Sequence, residues 1–565
     1  MRLWLCAFFF CFCIACIATA QKTEEIDFWT DMPPSQLAQT LADSMSDEEL
    51  LAQILMFGWS GAEPGSLLTS WVSERGLGSV KVFGWNTDNI QQVACSVKNL
   101  QQEAASGRFK IPLFVATDQE GGWVRHVKGA ASETPGNMAI GASGLPVDAY
   151  YSSYYINREI KALGINMNFA PVVDLYTNKN STVIGPRSFS SSPSVTSVLA
   201  QAFTKGCMDA GVIPTAKHFP GHGDTRLDSH GHLPEIDIDY DTWTARELLP
   251  FQKLIQSGIP AIMSGHISFP QIDVSGAPAS LSSYFLTDIL RHKLGYEGLV
   301  ITDDMMMNGA TQYAGSFSRA CTLAIQAGND IIISSETAAF DSPLWKQNLS
   351  LMATNAAFRE RVKESAMRIL YAKLLYFKGG NAAPLYPDET ELSNLVPDRE
   401  GQRFFLEQAC RSISIYSQGE EALPLRPGKN EKVLLVGAFP RMFEQGKKRY
   451  GTADTFSISY SLASDKSNYS EWNAAGLETA VRPYSVIVFC VFDKHSAEIA
   501  KRLRKLGKKV YILSVLSPVP VMEGFEWTSA ILCGYSYSDY SFNALFAALN
   551  GEISVSGTIP LSTKP

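Results

Sequence analysis

The sequence predicts an α/β protein in which an N-terminal (β/α)8 barrel of the TIM type precedes a smaller C-terminal α/β sandwich domain. The chain has 565 residues, more than the roughly 250–300 at which a single core stops growing, so two domains are expected. Short apolar runs alternate with amphipathic stretches over much of the chain, which is typical of a parallel sheet. Eight such runs favour closure into a barrel.

Each of the eight runs is short and mainly apolar, as strands buried on both faces are. The predicted barrel strands are 54–57, 79–83, 112–116, 165–170, 213–216, 261–264, 299–302 and 330–333. The amphipathic stretches between them include 89–105, 194–209, 242–256 and 282–293. We therefore assign residues 21–378 to the barrel and its linking helices, which end with a helical pattern over 344–377.

A loop-rich stretch, 379–398, contains two adjacent glycines and several prolines and is the predicted linker. Residues 399–565 then predict the second α/β domain. Its expected strands are 432–439, 486–492, 509–515 and 530–535, and its expected helices are 401–410, 496–506 and 539–549. The domain carries no glycine pattern of the kind that cradles phosphate.

The N-terminus predicts an export signal. Arg2 precedes an apolar run over 3–18, and Ala18-Thr19-Ala20 has the small residues of a cleavage site, so residues 1–20 are expected to be removed. Two alternatives stay open: a lipoprotein signal that leaves lipid on Cys16, and an uncleaved helical anchor. The expected location is periplasmic, secreted or membrane-anchored, with the membrane contacted only through this segment.

Composition excludes several classes of protein. The formal charge of −8 and the lack of a basic run with interleaved aromatics argue against nucleic acid as a partner. The six cysteines after the leader are scattered without a CxxC pair or zinc pattern, so we expect each to be buried and structural. No cofactor and no metal are predicted.

One short stretch, 217–232, holds four of the eight histidines: His218, His222, His230 and His232. Imidazole has an unperturbed pKa near neutrality, and here it is interleaved with Asp224, Asp228 and loop-forming glycines. This concentration predicts a site of proton transfer.

Active sites of (β/α)8 barrels lie at the C-terminal ends of the strands, and chemically useful residues of this chain collect there. These residues are Asp118 and Glu120 after the third predicted strand, Asp174 after the fourth, Lys217 and His218 after the fifth, His266 after the sixth, and Asp303 and Asp304 after the seventh.

Four motifs carry a family resemblance. The stretch 217–230 resembles the KHFPGHGDTxxDSH signature of glycoside hydrolase family 3, in its β-N-acetylglucosaminidase branch, and 117–122, 184–189 and 300–305 match further family segments in the same order. The resemblance covers about residues 50–328. It implies a TIM-like barrel, a carbohydrate substrate and no cofactor.

Glycosidic cleavage needs an anion beneath the anomeric carbon and a proton for the departing oxygen. Asp303, at a strand end, suits the first task, and the resemblance makes it the nucleophile of a retaining reaction, with Asp304 as a loop brace. The resemblance also makes His230 the acid/base residue, held by Asp228. A neighbouring carboxylate favours imidazolium, which suits a proton donor. The alternative is that His230 only satisfies the loop backbone.

The resemblance assigns sugar binding to Asp118, Arg187, Lys217 and His218. Lys217 has a second interpretation, an ion pair with Asp118 or Asp174. The family commonly places an arginine eight residues beyond the aspartate, whereas this chain has His126 there, so substrate contacts are expected to differ. For His266 we expect a wall or bracing role.

The expected function is a retaining exo-β-N-acetylglucosaminidase that acts on peptidoglycan fragments or chitooligosaccharides. Phosphorolysis stays open, because a neutral histidine tolerates an anionic acceptor that a carboxylate would repel. A noncatalytic cell-wall sugar-binding lipoprotein and a β-glucosidase of the same family are further alternatives. A zinc hydrolase would draw on His218, His222, Asp224, His230 and His232, although no HExxH pattern is present.

Overall fold

The computed structural model describes residues 26–181, 183–225, 231–459 and 476–562. The predictions for the leader 1–20, for Cys16, and for Asp228 and His230 lie outside the described residues. Within the described ranges, no helix is both long enough and apolar enough to cross a bilayer.

The first part of the chain forms an eight-stranded parallel sheet that curves towards closure. Its strands are β1 (Leu55–Phe57), β2 (Ser79–Lys81), β3 (Phe114–Thr117), β6 (Met167–Asn168), β7 (Ile213–Phe219), β8 (Ala261–Ser264), β9 (Leu299–Thr302) and β10 (Ile332–Ser334). A separate hairpin between β3 and β6 consists of β4 (Gln119–Gly121) and β5 (Val124–Arg125). The sheet order is β10-β1-β2-β3-β6-β7-β8-β9. The two edge strands meet through a parallel bridge between Ile301 and Ile331, with Thr302 N donating to Ile331 O at 2.9 Å. All eight predicted strands are present, so the barrel prediction is confirmed.

Helices surround this sheet. The strands are apolar on both faces, so the outer face of the sheet is covered by the apolar faces of the helices. They are Pro34–Ser44, Asp47–Gln53, Ser66–Arg75, Ile90–Ser106, Asn137–Ser143, Pro146–Ala162, Pro193–Ala210, Tyr240–Ala245, Leu248–Gln256, the π-helical Tyr284–Lys293, Asn308–Ala314, Phe317–Ala327, Pro343–Thr354 and Ala356–Phe377. Ala356–Phe377 packs across the N-terminal ends of the strands, where Lys373 Nζ donates to Gly78 O at 2.7 Å. The opposite end of the barrel is the mouth.

The second part of the chain forms a six-stranded mixed sheet. Its strands are β11 (Ser414–Gln418), β12 (Val433–Gly437), β13 (Asp454–Ser457), β14 (Val486–Val491), β15 (Lys509–Ser514) and β16 (Ala530–Cys533), in the order β11-β16-β15-β14-β12-β13. Its helices include Arg399–Ser412, Pro440–Arg449, Lys494–Lys501 and Asp539–Leu549, and Leu392–Leu395 is a short helix before it. The prediction missed β11 and β13, because both are edge strands with polar, partly exposed sequences.

The second sheet's core includes barrel residues from helix Asn137–Ser143, among them Met138 and Ala142. Arg411 donates to the buried Asp148 at 2.6 Å, and Ser190 Oγ donates to Pro560 O at 2.6 Å.

The prediction that every cysteine is buried needs a correction. Cys95 is exposed and Cys410 is half-buried, since each lies on a helix face that turns partly from the core.

Candidate active site

Charged side chains from five of the eight strands meet at the barrel mouth, because parallel strands in a barrel end at one face. Lys81 ends β2, Asp118 follows β3, and Asp174 follows β6. Lys217 and His218 lie inside β7, which runs on to Phe219, and so they belong to the strand rather than following it as predicted. Asp303 follows β9.

Asp118 is held by two lysines. Lys217 Nζ lies 2.5 Å from Asp118 Oδ1, and Lys81 Nζ lies 3.0 Å from Oδ2. Burial alone would raise the pKa of Asp118, but the charges of Lys217 and Lys81 hold it well below its usual range. This carboxylate is therefore ionised and presents an acceptor at the mouth.

His126 also faces Asp118, with 3.5 Å between Nδ1 and Oδ2. Burial lowers the pKa of His126 to about 4 despite the neighbouring carboxylate, so the ring is neutral at pH 7. The adjacent Arg125 turns away and pairs with Glu133 at 2.6 Å. The residue at the position where the family commonly has arginine is thus an uncharged imidazole beside Asp118.

Arg187 is joined to Glu120 by a two-pronged ion pair, with Nε at 2.9 Å from Oε2 and Nη2 at 2.7 Å from Oε1. Lys217 Nζ lies 2.7 Å from the same Oε1. Lys217 therefore bridges Asp118 and Glu120, and of the two carboxylates considered for its ion pair, Asp118 is the partner. Glu120 is buried, and the charges of Arg187 and Lys217 overcome the effect of burial and lower its pKa.

His218 is oriented by Asp174. Its Nδ1 lies 2.7 Å from Asp174 Oδ2, and its Nε2 lies 4.0 Å from Asp303 Oδ2 and 3.5 Å from Arg187 Nη2. Asp174 also accepts the backbone N–H of His222 at 2.7 Å. His218 thus links the Asp118–Lys217–Glu120–Arg187 group to Asp303.

Asp303 is a carboxylate at the barrel mouth that accepts few hydrogen bonds from the described residues. Its side chain is 18% exposed, and among the described residues its carboxylate accepts one hydrogen bond, from Asp304 N to Oδ1 at 2.8 Å. Burial would raise its pKa, but the charges of His218, His266 and Lys81 bring the pKa of Asp303 down to about 2. It is an anion, and its Oδ2 accepts no hydrogen bond from the part of the chain that the structure describes, which suits a nucleophile.

Asp304 and His266 brace the loop after β9. Asp304 Oδ1 accepts the backbone N–H groups of Met306 at 3.0 Å and Ser335 at 3.1 Å. The buried His266 bonds to Ser280 Oγ through Nδ1 at 2.7 Å and to Asp304 O through Nε2 at 3.0 Å. Both ring nitrogens of His266 and Oδ1 of Asp304 are used in contacts that hold this loop, in line with the bracing roles expected for the two residues.

The described residues on either side of 226–230 are anchored. Asp224 Oδ2 accepts from Arg246 at 2.7 Å, and Thr225 Oγ1 lies 2.8 Å from His222 Nδ1. Beyond the gap, Gly231 O accepts from Gln312 Nε2 at 3.2 Å. Gln312 lies on helix Asn308–Ala314, which begins four residues after Asp304, so the chain returns close to the Asp303 loop.

Among the described residues, no group of three or more histidine, cysteine, aspartate and glutamate side chains is placed to hold a metal ion. His218 and His222 are two of the five zinc-ligand candidates. Their Nδ1 atoms are instead hydrogen-bonded, to Asp174 Oδ2 and to Thr225 Oγ1 respectively.

Two residues of the site, Lys81 and Glu120, are not predicted as site residues from the sequence. Lys81 interrupts an otherwise apolar strand, and a lone lysine in such a strand was the available signal. Glu120 was noted only as a strand-end residue, and its pairing with Arg187, 67 positions away, has no local signature.

A partly exposed anionic aspartate beside a row of hydrogen-bonding charged groups at the C-terminal ends of the strands is the arrangement of a barrel active site. The family model described as "Glycosyl hydrolase family 3 N terminal domain" matches residues 47–372 of this chain. The chain belongs to glycoside hydrolase family 3, and by family it is a glycoside hydrolase.

Two relatives and one solved structure show the extent of the similarity. Beta-hexosaminidase A of Pseudoalteromonas piscicida is 38% identical over 281 residues, 47% of this chain and 47% of that protein, so the chain spans about half of its length. The beta-hexosaminidase of Idiomarina loihiensis is 32% identical over 328 residues, 55% of this chain and 96% of that protein. A family 3 beta-N-acetylglucosaminidase from Paenibacillus sp. str. FPU-7 has a TM-score of 0.82 at 27% identity and covers 92% of this chain and 99% of its own.

Proposed function

We propose that the protein is a retaining exo-β-N-acetylglucosaminidase that removes terminal β-linked N-acetylglucosamine from peptidoglycan fragments or chitooligosaccharides. The observation that carries this is Asp303, an ionised aspartate at the barrel mouth with a pKa of about 2 and an oxygen free of described hydrogen bonds. Its attack on the anomeric carbon forms a glycosyl-aspartate, which water then hydrolyses with overall retention.

The terminal sugar is held by the charged row next to Asp303. Asp118 accepts hydrogen bonds from sugar hydroxyls, and it stays ionised because two lysines contact it. Lys217 and Arg187 offer N–H donors to the same sugar, and His218 turns its Nε2 towards it. Asp174 fixes the orientation of His218, and Glu120 fixes that of Arg187. His126 contributes a neutral polar wall beside Asp118.

The proton for the leaving oxygen comes from His230, oriented by Asp228. Support comes from the family resemblance of 217–230 and from the described flank, since Gly231, directly after His230, is bonded to the helix that follows the Asp303 loop. Because His230 becomes neutral after donating its proton, it then serves as the base that activates water.

Export of the protein is part of the proposal, with residues 1–20 removed or Cys16 carrying lipid. The support is the leader pattern of the sequence. Intact-mass analysis of the chain from its native cells separates the outcomes: a mass that begins at Gln21, a lipid-modified mass that begins at Cys16, or the uncut chain.

The reaction is tested with a fluorinated N-acetylglucosaminyl donor that slows the second step. Peptide mapping by mass spectrometry is expected to find the sugar on Asp303, and proton NMR of the early product from an aryl β-N-acetylglucosaminide is expected to show the β-anomer. An initial α-anomer would refute retention, and a label on another residue would refute the assignment of Asp303.

The same assay is run with and without phosphate on chitobiose and on a glucosaminyl-muramyl disaccharide. Free N-acetylglucosamine at an unchanged rate is the expected product in both. A sugar-1-phosphate would show phosphorolysis, and binding of both sugars without turnover would show a noncatalytic sugar-binding protein.

A further inference from the structure

The last described residues of the chain, Thr558–Ser562, lie between the second domain and the barrel, and we call this segment the C-terminal strap. On one side, Leu561 packs in the core of the second sheet. On the other side, four hydrogen bonds fasten the strap to the barrel: Thr558 N to Ala142 O at 2.9 Å, Ser191 N to Pro560 O at 3.1 Å, Ser190 Oγ to Pro560 O at 2.6 Å and Ser562 N to Ser191 Oγ at 2.8 Å. Three of the four reach Ser190 and Ser191, just after Arg187.

Ser190 connects the strap to Asp174. Ser188 Oγ lies 2.9 Å from Ser190 O and 2.7 Å from Asp174 O, so one hydroxyl joins the two backbones. Tyr176 N also donates to Ser190 O, at 3.3 Å. Ser188 and Ser190 are both buried, so these hydrogen bonds are shielded from water. Asp174, which is held in this way, is the residue that orients His218.

The second domain also holds the neighbouring backbone. Tyr176, two residues after Asp174, is 6% exposed and packs in the apolar core of the second sheet, as does Met138. Met138 lies on the helix that begins at Asn137, and Asn137 Nδ2 donates to Arg187 O at 2.8 Å. The backbones of Asp174 and Arg187 are therefore fixed where the barrel meets the second domain.

We propose that the C-terminal strap positions the groups that hold the terminal sugar, with Ser190 as the positioning residue that links the strap to Asp174. This inference rests on the proposed function and extends it, because it gives the second domain a part in substrate binding. A misplacement of about 1 Å at such groups costs up to about 100-fold in rate. Asp303 follows β9, where its N–H donates to Ser264 O at 3.0 Å, so the chemical step should be spared.

The test is Ser190→Ala, which removes one hydroxyl from the contact with the strap while Pro560 O keeps Ser191 N as a donor. It is expected to raise KM for an aryl β-N-acetylglucosaminide about 10-fold with kcat within about twofold of wild type, because Arg187 and His218 hold the sugar before and during the reaction. Ser190→Thr, which keeps a hydroxyl, is expected to recover most of the loss. A role in folding alone would lower the thermal midpoint and the active fraction and leave KM unchanged.

Ser152→Ala is the matched control. Ser152 and Ser190 are each 3% exposed, and Ser152 Oγ donates to Gln408 Oε1 at 3.4 Å across the same contact between barrel and second domain. This variant is expected to keep the wild-type KM. Calorimetric binding of the aryl substrate to the inactive Asp303→Asn chain, with and without Ser190→Ala, should show the same change of about 10-fold in Kd.

A wild-type KM in Ser190→Ala would overturn the inference. An equal rise of KM in Ser152→Ala would also overturn it, because any loosening between the two domains would then have the same effect. A wild-type chain that binds the aryl substrate without cleaving it would instead refute the proposed function. The calorimetric comparison would still test the strap in that case, so the two failures are distinguishable.

Discussion

Two aspartates of the same barrel show how its two ends differ. Asp330, at the N-terminal end of β10, is fully buried and accepts hydrogen bonds from five described donors: Arg291, Arg361, Arg368, Ser365 Oγ and Val300 N, at 2.6 to 3.1 Å. Asp303, at the mouth, accepts one, and it stays 4.0 Å from His218.

The comparison separates structure from chemistry. Every lone pair of Asp330 is occupied, so the side chain ties β10 and helix Ala356–Phe377 together and has nothing to offer a ligand. Asp303 is kept ionised by the nearby charges of His218, His266 and Lys81, none of which donates a described hydrogen bond to its carboxylate. One of its oxygens is therefore available to a substrate. Asp330 and Asp303 therefore differ both in exposure, 0% against 18%, and in the number of described donors that their carboxylates accept.

The largest effect is expected for Asp303→Asn. Removing the nucleophile should lower kcat on β-N-acetylglucosaminyl fluoride by about 10⁴-fold or more. Circular dichroism and the thermal midpoint should change less than in Asp330→Asn. A variant with residual activity within tenfold of wild type would remove Asp303 from the reaction.

Asp330→Asn should reverse this pattern. It leaves three guanidinium groups facing a neutral amide, and breaking a buried ion pair on one side costs about 3–5 kcal/mol. Urea unfolding should show the loss in the free energy of unfolding of the barrel, whereas kcat of the folded fraction should match wild type. A stable variant with low activity would contradict the division between the two ends.

The sequence could predict most of this architecture, because eight apolar runs, the amphipathic stretches between them and the polar residues at strand ends are local patterns. Asp303, Asp118, Lys217 and His218 were found in this way. Glu120 as the partner of Arg187 could not be found, since that pairing depends on two loops meeting in space. The domain boundaries at 378 and 398 and the role of His230 stay predictions.

Two buried lysines extend the comparison. Lys217, at the mouth, contacts two carboxylates, and although burial opposes its charge, Asp118 and Glu120 raise its pKa. Lys373, at the other end, contacts neutral oxygens, Gly78 O at 2.7 Å and Gln53 Oε1 at 3.2 Å, and burial lowers its pKa to about 7.

Lys373 should therefore make stability depend on pH. Between about pH 7 and the ordinary lysine pKa of 10.5 the unfolded chain holds a proton at this position that the folded chain does not, so stability should rise with pH. The slope should reach about 1.4 kcal/mol per pH unit. Urea unfolding of Lys373→Met from pH 7 to 10 should lack this part of the slope. The control Lys205→Met, at a lysine whose side chain is 65% exposed, should keep it.

The smallest effect concerns the helix that carries Arg361, Arg368 and Lys373. Asn355 caps its N-terminus, with Oδ1 accepting from Phe358 N at 3.1 Å. Asn355→Ala should lower the free energy of unfolding by about 1 kcal/mol, because one backbone N–H loses its acceptor, and Asn355→Ser, which keeps a capping oxygen, should recover most of it. Activity should stay unchanged in both variants, since the cap lies at the end of the barrel remote from Asp303. A loss of kcat in Asn355→Ala without loss of stability would mean that the two ends are coupled, and the separation between a saturated structural end and an open reactive end would then fail.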